Sequence, residues 1–131
     1  MPGLQERRKI HELSQQVLPQ RSQEIADICG AAVPYEVDWA SLENDAQALN
    51  FLDNTACHRL NMALRMICID DLGRQAVADG LRLVRLRNVA DPAQRHIAFA
   101  DGVLEMHNAF AHGTQGMHDD GAIRNVLLAG L

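Results

Sequence analysis

Four of the six histidines fall late in the chain, at His96, His107, His112 and His118, and their spacing around Asp101-Gly102 is what could do chemistry. Asp-Gly tolerates the positive φ values of a two-residue type I′ turn, the commonest hairpin connection. Such a turn sets the pairing: Ala100 opposes Val103, Phe99 opposes Leu104, Ala98 opposes Glu105, Ile97 opposes Met106, and His96 opposes His107. Directly opposed residues hold their Cβ atoms ~5 Å apart. Two imidazoles with Glu105 diagonal to His96 suit a divalent transition metal, so His96, His107 and Glu105 are the candidate ligands of a weak Zn²⁺, Ni²⁺ or Cu²⁺ site. A third or fourth ligand would come from His112 or His118 in the following loop. The competing reading is the polar outer face of a sheet, and a one-residue change of turn length would separate the two histidines. No other cofactor is expected.

The remaining chemistry-bearing residues make no set. Cys29, Cys57 and Cys68 are odd in number and share no metal or redox spacing. They read as buried free thiols of a reducing compartment, which points to the cytoplasm. Cys57 and His58 are neighbours on an expected helix, so their side chains diverge by about 100°. Phosphate-binding glycine loops, His-Glu-x-x-His and Gly-x-Ser-x-Gly are absent. The acid pairs Asp70-Asp71 and Asp119-Asp120 lack calcium-loop spacing and read as helix caps.

The elements that must position these residues follow from periodicity. Ile10, Leu13, Val17, Ile25 and Ile28 recur at helical spacing, which predicts an N-terminal helix kinked near Pro19 and capped by Gly30. Val33 to Trp39 alternates apolar with polar, a short strand that Pro34 places at an edge. A helical region spans about 44–79 on Leu42, Ala46, Leu49, Ala56, Leu60, Ala63 and Ile67. Asp53-Asn54-Thr55 is a candidate restart and Gly73 a candidate break. Period two then returns, predicting a three-stranded antiparallel meander at about 82–89, 94–100 and 103–111. Ile97, Phe99, Leu104 and Met106 form its core face, covered by the helices of 44–79. Residues 112–121 read as loop, and Ile123, Val126, Leu127 and Leu131 mark a short C-terminal helix. The fold class is α+β in one domain, as 131 residues suggest.

Composition bounds function more than it defines it. A hydrophobic fraction of 47% excludes disorder as the main state. With five aromatic residues, the core rests on Leu, Ile, Val, Ala and Met. No stretch approaches the ~18 apolar residues of a membrane span, and no apolar leader follows the basic Arg7-Arg8-Lys9. Eleven arginines against one lysine is the bias of a GC-rich bacterial genome. The net charge of −5 argues against duplex DNA as a partner. Charge is also segregated. Glu36, Asp38, Glu43, Asp45 and Asp53 oppose only Arg59 within 31–60, whereas Arg82, Arg85, Arg87 and Arg95 outnumber Asp91 and Asp101 within 81–101.

These features favour a small acidic binding protein without catalysis, of inhibitor, immunity-like or adaptor type, whose partner is another protein. The alternatives are a small metal- or histidine-dependent enzyme using the histidines of 96–119, and a structural oligomeric module. A kinked amphipathic helix in the first 30 residues offers a surface for a homodimer.

Overall fold

The computed structural model describes residues 3–131, so the first two residues of the expected N-terminal helix lie outside it. Helix α1 (Leu4–Glu12) passes through a π-helical turn (Leu13–Val17) into α2 (Leu18–Cys29). The interruption expected near Pro19 is this wide turn, which divides α1 from α2. Pro19 has no N–H to give the carbonyl four residues back. The helix widens just ahead of it, where the Leu18 N–H reaches Leu13 O. Gly30 ends α2 in the left-handed conformation at φ 80°.

Strand β1 (Tyr35–Val37) leads to a 3₁₀ turn at Trp39–Ser41. The helical region that follows is three segments: α3 (Ala46–Phe51) joined by a second π-helical turn (Leu52–Cys57) to α4 (His58–Ile67), then α5 (Asp71–Gly80). Asp45 and Asp70 cap α3 and α5, accepting from Ala48 N at 2.9 Å and Gly73 N at 2.8 Å. Gly73 does not break the helix. It sits in the first turn of α5 against the Ile67 carbonyl, where a Cβ would collide. Gly73 is therefore what allows the abrupt turn between α4 and α5.

Strands β2 (Leu83–Asn88), β3 (His96–Ala100) and β4 (Val103–Asn108) complete one sheet, and α6 (Asp120–Gly130) closes the chain. The sheet order is β1-β2-β4-β3. Only β3 and β4 are antiparallel; β1–β2 and β2–β4 are parallel. The antiparallel meander is thus corrected to a mixed sheet. Between β2 and β3 the chain makes no tight hairpin. It swings out through the capped turn at Pro92–Gln94, where Asp91 and Gln94 bond each other's backbone. That wide connection carries β3 to the edge, and the tight Asp101-Gly102 turn returns β4 into the space beside β2. Leu104 and Met106 on the central β4 are fully buried, whereas Ile97 and Phe99 on the edge strand β3 are only partly exposed.

One face of the sheet packs on the helices. Val84, Leu86, Leu104 and Met106 join Leu49, Leu60, Leu64 and Phe110 in a single core. The helices of 44–79 do not cover β3 as expected; α6 does, with Gly130 so close to the Phe99 ring that a Cβ would overlap it. Behind this core a chain of polar groups joins four elements. The Tyr35 hydroxyl donates to Asn61 Oδ1 at 2.8 Å, and the Asn61 amide donates to Glu24 Oε1 at 2.6 Å. Arg21 then donates to Glu24 at 3.2 Å and to Asp53 at 2.6 Å.

Cys29 and Cys68 are joined in a disulfide between the C-terminal ends of α2 and α4, 39 residues apart in sequence. Only Cys57 remains a free, buried thiol. The reading of three free thiols is corrected accordingly. Adjacency of the two helix ends could not be seen from cysteine spacing.

Two outcomes follow for stability. Phe110→Ala should cost about 3–5 kcal/mol by denaturant unfolding, and Phe99→Ala less than that, because its ring at the sheet edge is only partly buried. Equal costs would contradict the edge placement of β3. Thiol counting on the unfolded, unreduced protein should find Cys57 alone. Replacing Cys29 and Cys68 together by Ala should lower stability by about 3–4 kcal/mol, the chain-entropy value for such a loop.

Candidate functional site

The face of the sheet turned away from the core is the candidate site, because pairing brings seven ionisable side chains onto it in two rows. Glu36 pairs with Arg85, which pairs with Glu105, which lies opposite Ala98. One step further along, Arg87 is paired with His107 and His107 with His96, while Asp38 just past β1 reaches Arg87. The period of two along each strand aims all of them to one side. Signs alternate across the rows, and the contacts follow the signs. Arg85 Nε stands 3.2 Å from Glu36 Oε1, and Arg87 Nε stands 3.7 Å from Asp38 Oδ2. Glu36 and Asp38 of the acidic segment at 31–60 therefore meet Arg85 and Arg87 of the basic segment at 81–101 here. Glu36, Asp38, Arg85, Arg87 and Glu105 line an open groove of about 350 Å3 with Val37 and Leu86 at its floor.

The histidine pair lies at one end of the second row. Asp101 and Gly102 take φ values of 55° and 81°, so the turn has two residues and the register is the expected one. His96 and His107 are direct cross-strand neighbours with ring centroids 5.4 Å apart and planes inclined at 58°. Glu105 shares their face, two residues before His107, and its Oε1 approaches His107 Nε2 to 3.6 Å. That nitrogen is buried and makes no hydrogen bond to any described residue.

The two loop histidines go elsewhere. His118 Nε2 lies 3.1 Å from the backbone oxygen of His96, and His112 Nε2 lies 3.2 Å from that of Ala90. Burial pushes the His118 imidazole below its ordinary pKa, against the hydrogen bond to His96 O, which favours the charged form. His118 thus ties the loop to the open end of the hairpin through backbone. Its own N–H donates to Asn108 Oδ1 at 3.3 Å, which anchors the same corner. Among the described residues no three His, Cys, Asp or Glu side chains converge as a ligand set does. His96 and His107 are brought together, Glu105 is adjacent, and His112 and His118 are not brought in.

Arg85, Arg87, Glu36 and Asp38 stand out in the sequence only as charged segments. Alternation in Val84-Arg85-Leu86-Arg87 shows that the arginines share a face, but the parallel neighbours that put His107 and Glu105 beside them are a tertiary fact. Cys57 takes no part: it is fully buried, and burial pushes its thiol up to about 12.

A tetrahedral ion with Zn–N bonds of about 2.0–2.1 Å would hold the two imidazole nitrogens roughly 3.3 Å apart. With Glu105 as third ligand, calorimetric titration of Zn²⁺ or Ni²⁺ near neutral pH should give weak binding to the wild type and none to His107→Ala. Equal heats in the two proteins would leave His96 and His107 as ordinary surface residues. No family model matches the chain, and neither a curated protein nor a solved structure matches it, so the chemistry of this face rests on its own residues.

Proposed function

We propose that this chain is a non-catalytic binding protein that docks another protein on the uncovered face of its sheet. The observation that carries the reading is the pairing of oppositely charged side chains in register across β1, β2 and β4, with no described element laid over them. A sheet face needs only scattered polar residues to be soluble. Two in-register rows of alternating sign, around a groove, form a pattern that a partner of complementary pattern can match. Because each arginine already has a carboxylate, docking exchanges pairs instead of creating them. Such exchange adds specificity and on-rate more than affinity.

The same pairing supports the expectation of poor duplex DNA binding. Arg85 and Arg87 are neutralised by Glu36 and Asp38, and the chain carries a net −5. An enzymatic role is less supported: the free thiol is buried and protonated, and the loop histidines are spent on backbone carbonyls. No described helix is long and apolar enough to cross a membrane. The arginine bias supports a bacterial source. Cytoplasmic residence had its argument in free thiols, and the Cys29–Cys68 bond removes most of that support.

Reversing Arg85 and Arg87 to Glu should abolish capture of the physiological partner by cross-linking in the source cell, with the fold retained by circular dichroism. A cross-linked partner seen with the wild type and undiminished in the double variant would overturn the sheet-face assignment.

A further inference from the structure

The sheet ends in two edge strands, and only one of them is guarded. β1 is three residues long, Pro34 precedes it, and Glu36 and Asp38 put charge along it. Shortness, proline and charge are what keep an edge from pairing with another chain. β3 has none of these. His96-Ile97-Ala98-Phe99-Ala100 holds no proline, acid, lysine or arginine, and its register with β4 runs without a bulge. Bonded pairs alternate along an antiparallel ladder, and the two-residue turn starts the alternation at Ala100–Val103. His96, Ala98 and Ala100 therefore bond inward to β4, while the N–H and C=O groups of Ile97 and Phe99 point out of the edge. Among the described residues no other backbone group bonds them. α6 packs against Phe99 from the helical side, and Ile97 and Phe99 stay partly exposed.

We propose that this edge pairs with β3 of a second copy, antiparallel, about a two-fold axis normal to the sheet at Ala98. The outward groups fix that register. Ile97 of each copy exchanges both backbone bonds with Phe99 of the other, and Ala98 meets Ala98 in the unbonded position between them. The side chains suit their places. Alanine is small enough for the closest approach of the two strands, and Ile97 against Phe99 is the β-branched–aromatic pair that strands favour. Charge selects the same register independently. Counting outward from Ala98, Arg95 of each copy comes level with Asp101 of the other. Arg95 reaches only the Pro92 and Met117 carbonyls, through Nε and Nη1, and Asp101 is engaged only through its backbone oxygen, by Arg82. Among the described residues neither has an ion-pair partner in its own chain. An edge whose hydrogen bonds, apolar pair and charges all match themselves under one rotation has the self-complementarity of an isologous dimer. Ala122 lies beside Arg95 and Gly130 against Phe99, so the side of α6 that runs along β3 begins and ends in small residues, which let two such helices come close across the axis. The rotation also leaves both charged faces on one side of a continuous sheet. The N-terminal helix is the weaker surface for a homodimer: α2 turns Leu18, Ile25 and Cys29 into its own core, and Leu4 is the large apolar residue left exposed on α1.

Sedimentation velocity at micromolar concentration and residue-resolved hydrogen exchange test this together. The wild type should sediment at twice the chain mass, with the Ile97 and Phe99 amides protected in the dimer. Ala98→Lys, on the outer face opposite Glu105, sets two ammonium groups against each other at the axis. It should weaken the dimer at least about tenfold and free both amides, with an unchanged circular dichroism spectrum. Arg95→Gln and Asp101→Asn should each weaken the dimer severalfold, and the two together no more than either alone. The Arg85→Glu/Arg87→Glu variant, which tests the sheet face, should leave it intact. A wild type that stays at one chain mass overturns the proposal and leaves the edge to a strand of another protein. So does a dimer in which the Ile97 and Phe99 amides exchange freely, one that survives Ala98→Lys, one lost in the sheet-face variant, or additive effects of the Arg95 and Asp101 changes.

Discussion

The hydrogen-bonded chain Tyr35–Asn61–Glu24–Arg21–Asp53 is the constraint on which the arrangement of this domain depends. Asn61 is buried at 1% exposure in the middle of α4, and a buried amide without partners would cost about 1–3 kcal/mol. Its oxygen accepts from Tyr35 on β1, and its nitrogen donates to Glu24 on α2. Arg21 then carries the chain to Asp53 in the π-helical turn ahead of α4. The hydrogen bond from Asn61 holds the Glu24 carboxyl below the usual carboxylate range, with Arg21 adding to it and desolvation opposing. Burial drives the Tyr35 phenol well upward, so it stays a neutral donor. Each group is satisfied only when all the elements are in place, which makes the network directional where the leucine core is not.

The consequence reaches the opposite side of the sheet. β1 has three residues and a proline just before it, too little to define its own place by strand pairing alone. Tyr35, held from behind, fixes the pleat of β1. The next residue, Glu36, must then emerge on the outer face at Arg85, and Asp38 follows at Arg87. The candidate site is thus assembled from the core side. At the other edge, His118 and Asn108 hold the open end of the hairpin, so that His96 and His107 stay in register.

The helical layer shows the same economy. Two π-helical turns, each at the junction of two helices, let the chain shift its apolar stripe without a loop. The disulfide then ties the far ends of α2 and α4. Between these fixed points α4 has one side committed to the core and one side left apolar and uncovered, a surface that the domain does not need for its own packing.

Local properties were legible in the residues. Alternation at Val33–Trp39, 84–87 and about the hairpin marked every strand, because a half-buried strand has a strict period of two. Asp101-Gly102 determined its turn, and therefore the His96–His107 pair, because both residues require positive φ and little else tolerates it. Gly30 determined a helix end for the same reason. Strand order was not legible. Alternation says which residues share a face but not which strand lies next to it; with β4 at the centre Leu104 and Met106 are fully buried, while β3 at the edge leaves Ile97 and Phe99 partly exposed. Pro19 predicted an interruption, and a widened turn just ahead of it divides α1 from α2. Gly73 looked like a breaker because a close approach to the Ile67 carbonyl exists only after α4 and α5 have packed. The cysteine pair and the alignment of Glu36 and Asp38 with Arg85 and Arg87 join residues 39 to 49 positions apart, and no local propensity encodes that distance.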